Sequence, residues 1–293
     1  MFSRMTTGEK AFQTLLIAAL VLMCVSMLYP FLQTLAISFS TPKEAMRYGM
    51  HLFPREATLD AYLQTFKSHG IWTGFGNTVF RTVVGTLLSL AMMTLGAYPL
   101  SKKYLPDRTL YTMLIVFTMF FSGGLIPTYL LIKSVGLMDS RLVYIVPVLI
   151  NTFWMLILRN FFMNIPEELE DSAKIDGAND IRILVSLVVP LSKPILATLA
   201  LWSAVDHWNR WFDALLYIQD SSKIVAQIFL RRLVVDNMDQ ELRQLMDNAA
   251  GQTVLPETVK AAVLMVTTAP ILFIYPFLQK YFVKGIYVGS LKG

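Results

Sequence analysis

The chain has 293 residues, of which 55% are hydrophobic and only 15% charged, and its mean hydropathy is +0.54. That apolar excess excludes an ordinary soluble domain and points to an integral membrane protein. The formal net charge of +5 comes from Lys and Arg scattered between apolar runs, which excludes nucleic acid as a partner, and the single cysteine, Cys24, excludes an intrachain disulfide and a thiolate metal cluster.

A spanning helix needs about 20 mostly apolar residues, because the hydrocarbon core is about 30 Å thick and each helical residue rises about 1.5 Å. The charge-poor runs predict an all-α, polytopic fold with one transmembrane domain over 1–293 and six transmembrane helices, at about 11–39, 73–101, 109–132, 142–163, 194–218 and 261–284. Arg4 and Lys10 precede the first helix, which is too long for a secretory signal and lacks a small-residue cleavage site after it. It reads as an uncleaved anchor with its N-terminus inside. Six crossings then put Lys102, Lys103, Arg108, Arg159, Lys174, Arg182, Lys193, Lys280, Lys284 and Lys292 on the inner side, with both termini cytoplasmic. Near the outer end of the second helix, Arg81 lies with Asn77 and Thr82, placed either to snorkel or to attract an acidic solute. No repeat and no low-complexity tract interrupts the pattern.

Two connections are long: 166–190 on the cytoplasmic side and 219–260 on the outer side. The first reads PEELEDSAKIDGANDIRILVSLVVP. Glu167, Glu168, Glu170 and Asp171 crowd the turns after Pro166, where the helix macrodipole favours negative charge and proline fits the first helical position. Gly177, after Asp176, tolerates a positive φ and ends that helix sharply, and an apolar segment from Ile181 to Val189 follows. The spacing predicts a helix-turn-helix lying against the membrane.

The fifth crossing is apolar only in its first half. At about 100° per residue, Trp202, Asp206, Asn209 and Asp213 fall within an arc of roughly 60°, with Arg210 beside it. Asp206 precedes Arg210 by four residues and Asp213 follows it by three, so both carboxylates are expected to pair with it. Intramembrane ionisable groups read by default as a route for a polar solute, and the neighbouring Trp202, Trp208 and Trp211 suit the C–H faces of sugars. The competing account is a structural salt bridge that holds this helix against another subunit. His207 points off the stripe and His51 and His69 are remote, which leaves no metal site.

The loop resembles the EAA loop of ABC-importer permeases, with Glu170, Ala173, Asp176, Gly177, Ala178 and Pro190 at the family spacing, Ser172 in place of the commoner alanine and Val189 in place of the leucine before the proline. The runs Phe121–Pro127 and Trp208-Asn209, together with the tail from Lys280 to Gly293, are similar to the carbohydrate-uptake branch of that family. The resemblance implies a type I importer permease in a bacterial cytoplasmic (inner) membrane, taking up an oligosaccharide, with an acidic, alginate-like one as its narrower form. It implies that Glu168, Glu170, Asp171, Ser172, Ala173, Asp176, Gly177 and Ala178 form a coupling helix docked in a cleft of an ATP-hydrolysing subunit. The implied partners are a second, nonidentical permease, two ATP-binding cassette subunits that hold ATP and Mg, and an extracytoplasmic solute-binding protein reached by the 219–260 segment. No G-x-x-x-x-G-K-[ST] phosphate loop occurs, so ATP chemistry and any cofactor are assigned to other chains. A different solute, or an ATP-independent secondary transporter or pore, remains the rival reading.

Overall fold

The computed structural model describes residues 6–234 and 255–290, with the side chains of 275 and 277–290 left aside. Among the described residues the regular structure is helical: α1 (Thr7–Ser38), α2 (Pro42–Ala45), α3 (Asp60–Lys67), α4 (His69–Ser101), α5 (Arg108–Phe120), α6 (Leu125–Ser134), α7 (Thr152–Phe162), α8 (Glu167–Ile175), α9 (Asp180–Ile183), α10 (Val189–Leu191), α11 (Lys193–Asn209), α12 (Phe212–Tyr217), α13 (Ala226–Val234) and α14 (Pro256–Ser290). Among the described residues three helices are long and apolar enough to cross a bilayer unaided, and the number rises to six if each of three bent pairs is one span. The residues fall into two compact units, one from 6–69, 230–234 and 255–268 and the other from 70–229 and 269–290.

In the first unit, α1 starts on a capping box: the Thr6 hydroxyl accepts from the Glu9 N–H at 3.4 Å and the Glu9 carboxylate accepts from the Thr6 N–H at 2.8 Å, which satisfies donors that a helix start leaves orphaned. Most of its residues are exposed, which suits a helix whose neighbours are lipid or another chain. The segment after it is a closed loop. Ser40 bridges Ala57, the Phe39 carbonyl accepts from Thr58 at 2.7 Å, and the buried Glu44 carboxylate accepts the N–H groups of Arg55 and Glu56 at 2.6 and 2.8 Å. The Glu56 N–H, foremost, holds that carboxyl below its usual range.

In the second unit, α4 runs for 33 residues and meets two apolar clusters, one at its last turns and one at its middle. Met93, Ala97, Tyr98 and Leu100 of its last turns pack with Met155, Leu158 and Phe162 of α7 and with Ile183, Leu184, Val188 and Leu199. At its middle Val84 packs against Ile132, Val143, Tyr144, Ile145, Ala214, Tyr217, Ile218 and Ile228.

Three spans expected to be continuous are broken. The chain bends by 111° between α5 and α6, at Ser122-Gly123-Gly124, where Gly124 has φ +81°, a conformation costly for a residue with a Cβ. A 51° bend separates two 3₁₀ turns (Arg141–Tyr144 and Val146–Val148) from α7, which restarts where the Asn151 side chain accepts from the Trp154 N–H at 3.1 Å. Within 194–218 the helix stops at Arg210, whose ψ is 126°, before α12 begins. Two spans are longer than expected: the second helix starts at His69 and the sixth covers Pro256–Ser290. Part of the predicted outer connection, 235–254, lies outside the described residues, whereas 221–223 form a 3₁₀ turn and 226–234 a helix.

Candidate functional site

The acidic elbow begins where Pro166 caps α8, with Glu167, Glu168 and Glu170 in the first turn. Its end is a Schellman motif: the Ala178 N–H reaches the Ala173 carbonyl at 2.9 Å, the Gly177 N–H reaches the Lys174 carbonyl at 2.9 Å, and Gly177 has φ +79°. Asn179 then caps α9, its side chain accepting from the Arg182 N–H at 2.9 Å. One π-helical turn, Leu184–Val188, leads to α10.

The elbow has two faces. Ala173 and Ala178 pack against the first apolar cluster, and Glu170 is buried in an ion pair with Lys102. Glu168, Asp171, Ser172, Asp176 and Gly177 are on the exposed side with Ile175 and Ile181, which are 86% and 73% exposed. Sequence reasoning missed these two isoleucines and Lys102; the isoleucines carried a signal, since apolar residues at those turns break an otherwise solvated pattern. Glu167 bonds the Lys103 ammonium at 2.7 Å, and that bond, foremost, lowers its carboxyl. The Ser172 hydroxyl donates to the Glu168 carbonyl at 2.8 Å, so it stays within its own helix.

The polar stripe of the fifth crossing is rearranged by the break at Arg210. Asp206 pairs with Arg210 at 2.7 Å, as its spacing requires, and both side chains stay partly exposed. Asp213 does not pair with Arg210, because the chain turns before it; it forms a buried ion pair with Arg81 instead. The same guanidinium donates to the Arg210 carbonyl at 2.8 Å and lies 4.8 Å from the centre of the Tyr144 ring. Ending α11 frees that carbonyl, and a cation on a helix C-terminus is favourable both as a donor and against the dipole. Arg81 is thus enclosed within this unit: its exposure is 0%.

Asn77 is likewise buried, its amide donating to the carbonyls of Ser222 and Ile224 at 2.9 Å each, while the Thr78 hydroxyl accepts from the Ala226 N–H at 2.9 Å. It brackets the 222–226 segment against α4. Gly74 permits this approach, since a Cβ there would lie 3.1 Å from the Ala226 backbone. Trp202 is half-buried against the first cluster, 6.3 Å from the Trp154 ring. Asn209 is exposed. Of the expected pathway residues, Asp206, Asn209 and Arg210 keep an open surface, whereas Arg81, Asn77 and Asp213 are engaged in holding helices together. His207 is buried against Gly85, and no cluster of three metal-ligating groups occurs among the described residues.

A second bracket was not expected. Asp139, with φ +53°, accepts the N–H groups of Gln219 and Asp220 at 3.2 and 3.0 Å, and Lys223 donates to its carbonyl at 2.8 Å. The Asp220 N–H, foremost, lowers the Asp139 carboxyl. A depressed folded-state value means that this support is present at neutral pH and is lost as pH falls through the folded value, below the ordinary carboxylate pKa of about 4. Asp139→Ala is therefore expected to speed hydrogen exchange at the amides of Gln219 and Asp220 at neutral pH, with Asp139→Asn intermediate because asparagine tolerates positive φ. Unchanged exchange in the alanine variant would show that the bracket is dispensable.

A family model described as binding-protein-dependent transport system inner membrane component matches residues 69–287. The chain is 42% identical over 285 residues to the polygalacturonan/rhamnogalacturonan transport system permease protein YtcP of Bacillus subtilis (strain 168), covering 97% of this chain and 99% of that one. It is 45% identical over 266 residues to Protein LplC of the same organism, covering 90% and 89%. Among solved structures, it matches a chain in the crystal structure of a bacterial ABC transporter involved in the import of the acidic polysaccharide alginate, with a TM-score of 0.89 and 32% identity, covering 95% of this chain and 99% of that chain.

Proposed function

The chain belongs to the family of binding-protein-dependent transport system inner membrane components, and on that premise we propose how it carries its solute. It is a non-catalytic permease subunit of a sugar-importing ABC transporter, and ATP is used by partner subunits. This removes the solitary pore and the secondary transporter as readings.

The observation that carries the mechanism is the elbow at Gly177: a short helix with Ala173, Ala178 and Glu170 turned inward and Glu168, Asp171, Asp176, Ile175 and Ile181 turned outward. A helix so ended presents a rigid, self-capped knob, and exposed isoleucines among carboxylates favour a protein cleft over water. We place that knob in the cleft of a separate ATP-binding cassette subunit, with ATP and Mg held there, two such subunits serving a pair of nonidentical permeases. Closure of the cassettes would tilt the spans outward-facing, and hydrolysis would return them. Both termini and the elbow are placed on the cytoplasmic side, and the 219–260 connection on the outer side, where a solute-binding protein delivers the cargo.

For the solute we propose a uronate-containing oligosaccharide. Relatives named for polygalacturonan and for alginate support that class, as both are polymers of uronic acids. In this chain Arg210 is the stripe cation with open surface, its 2.7 Å pair with Asp206 being exposed enough for a sugar carboxylate to compete. Trp211 and Asn209 lie beside it, exposed, to meet ring faces and hydroxyls.

The test is the ATPase rate of the assembled complex, with its binding protein, in vesicles. Oligouronates of alginate or polygalacturonan type are expected to raise it severalfold, and neutral malto-oligosaccharides to leave it at the basal rate. Stimulation by neutral sugars alone would defeat the acidic assignment.

A further inference from the structure

The coupling helix α8 is held to the rest of the permease in an unusual way. Beside the apolar contact of Ala173 with the first cluster, its inward face carries a buried ion pair: Lys102, the residue after α4, meets Glu170, with exposures of 9% and 6%. Beside the pair lies a cavity of about 250 Å³ lined by Ser101, Tyr104, Phe162 and Met163 among others. The Lys102 ammonium is fixed further by the Tyr98 ring, whose centre is 4.4 Å away. The neighbouring pair, Lys103 with Glu167, is 76% and 69% exposed and holds little.

The chain beyond α8 is poorly suited to carry a stroke. One π-helical turn and an 82° bend separate the elbow from α11, and α11 itself stops at Arg210. In contrast, α4 is one continuous helix, with Pro99 in its last turn. About 30 Å along it from Lys102, at 1.5 Å per residue, it carries Arg81, which holds both Asp213 and the Arg210 carbonyl across the break in the fifth span.

We infer that Lys102 is a positioning residue for coupling: through Glu170 it ties α8 to α4 as one body, and the stroke reaches the polar break at Arg210 along α4 rather than through α9 to α11. This rests on the reading of the elbow as the part gripped by the cassette subunit. A buried charge pair is suited to the task, since losing one partner leaves the other uncompensated, whereas sliding helices would require that penalty at every cycle.

The test uses the whole complex in proteoliposomes. Lys102→Glu and Glu170→Lys are each expected to lower solute-stimulated ATP hydrolysis and transport by on the order of tenfold or more while cassette subunits still co-purify. The double exchange should recover much of both rates, and Lys102→Arg should stay near wild type. In a Cys24→Ser background, Lys102→Cys with Glu170→Cys should be uncoupled, and a short thiol-to-thiol linker should restore coupling by replacing the ion pair with a covalent one. Arrest by the linker, or coupled single exchanges, would overturn the inference while the elbow reading stands. Failure of any cassette subunit to co-purify with the wild-type chain would overturn both.

Discussion

Arg81→Met is expected to cost the second unit far more stability than Asp206→Asn, and to remove transport with it. The side chain is fully buried, and its loss leaves the Asp213 carboxylate, 12% exposed, without its cation and the Arg210 carbonyl without its donor. Breaking a buried pair by removing one partner costs about 3–5 kcal/mol, and an orphaned buried acceptor adds about 1–3 kcal/mol. Arg81→Lys should recover little, because one ammonium cannot serve a carboxylate, a carbonyl and the Tyr144 ring with the fixed fork of a guanidinium. Arg81→Met combined with Asp213→Leu should be more stable than Arg81→Met alone, since no charge is then stranded. Asp206→Asn, at a partly exposed pair, should change stability by about 1 kcal/mol or less and show its effect in transport. Thermal unfolding of the detergent-solubilised complex separates these cases. Equal losses for Arg81→Met and Asp206→Asn would mean that the two pairs are equivalent and that the break at Arg210 needs no clamp.

That contrast marks what could be read from the chain and what could not. The elbow was legible because its signals are local: an acidic first turn after Pro166 and a glycine at the residue where the Schellman turn needs positive φ. The apolar runs were legible as spans by length, yet not as broken ones. Composition sees 109–132 as one run, and only Gly123-Gly124 hints at the 111° bend. The same limit misassigned Asp213. On an unbroken helix it falls on the stripe beside Arg210, but its partner is 132 residues away, and no spacing rule reaches that far. Lys102 and Glu170 are 68 residues apart, and Asp139 and Lys223 are 84 apart. Each pair fixes how helices meet, and each was visible beforehand only as two unrelated charges.

Gly177→Pro is expected to abolish solute-stimulated ATP hydrolysis while leaving membrane insertion intact. Proline locks φ near −65°, whereas this residue sits at +79°, and it removes the N–H that reaches the Lys174 carbonyl at 2.9 Å. The turn cannot then bring the Ala178 N–H back to the Ala173 carbonyl, so both alanines leave the apolar cluster and the knob loses its aim. Gly177→Ala is the graded control. It keeps the N–H and costs about 1–2 kcal/mol for a left-handed residue with a Cβ, and nothing lies within 4 Å of that added Cβ. Coupling should therefore fall partially in the alanine variant and completely in the proline variant, with equal amounts of both chains in the membrane fraction. The spans are formed by apolar length, which neither change touches, so insertion and coupling are separable here. If the proline variant retained solute-stimulated hydrolysis in vesicles, the Schellman turn would be incidental and the motor would have to grip the permease elsewhere.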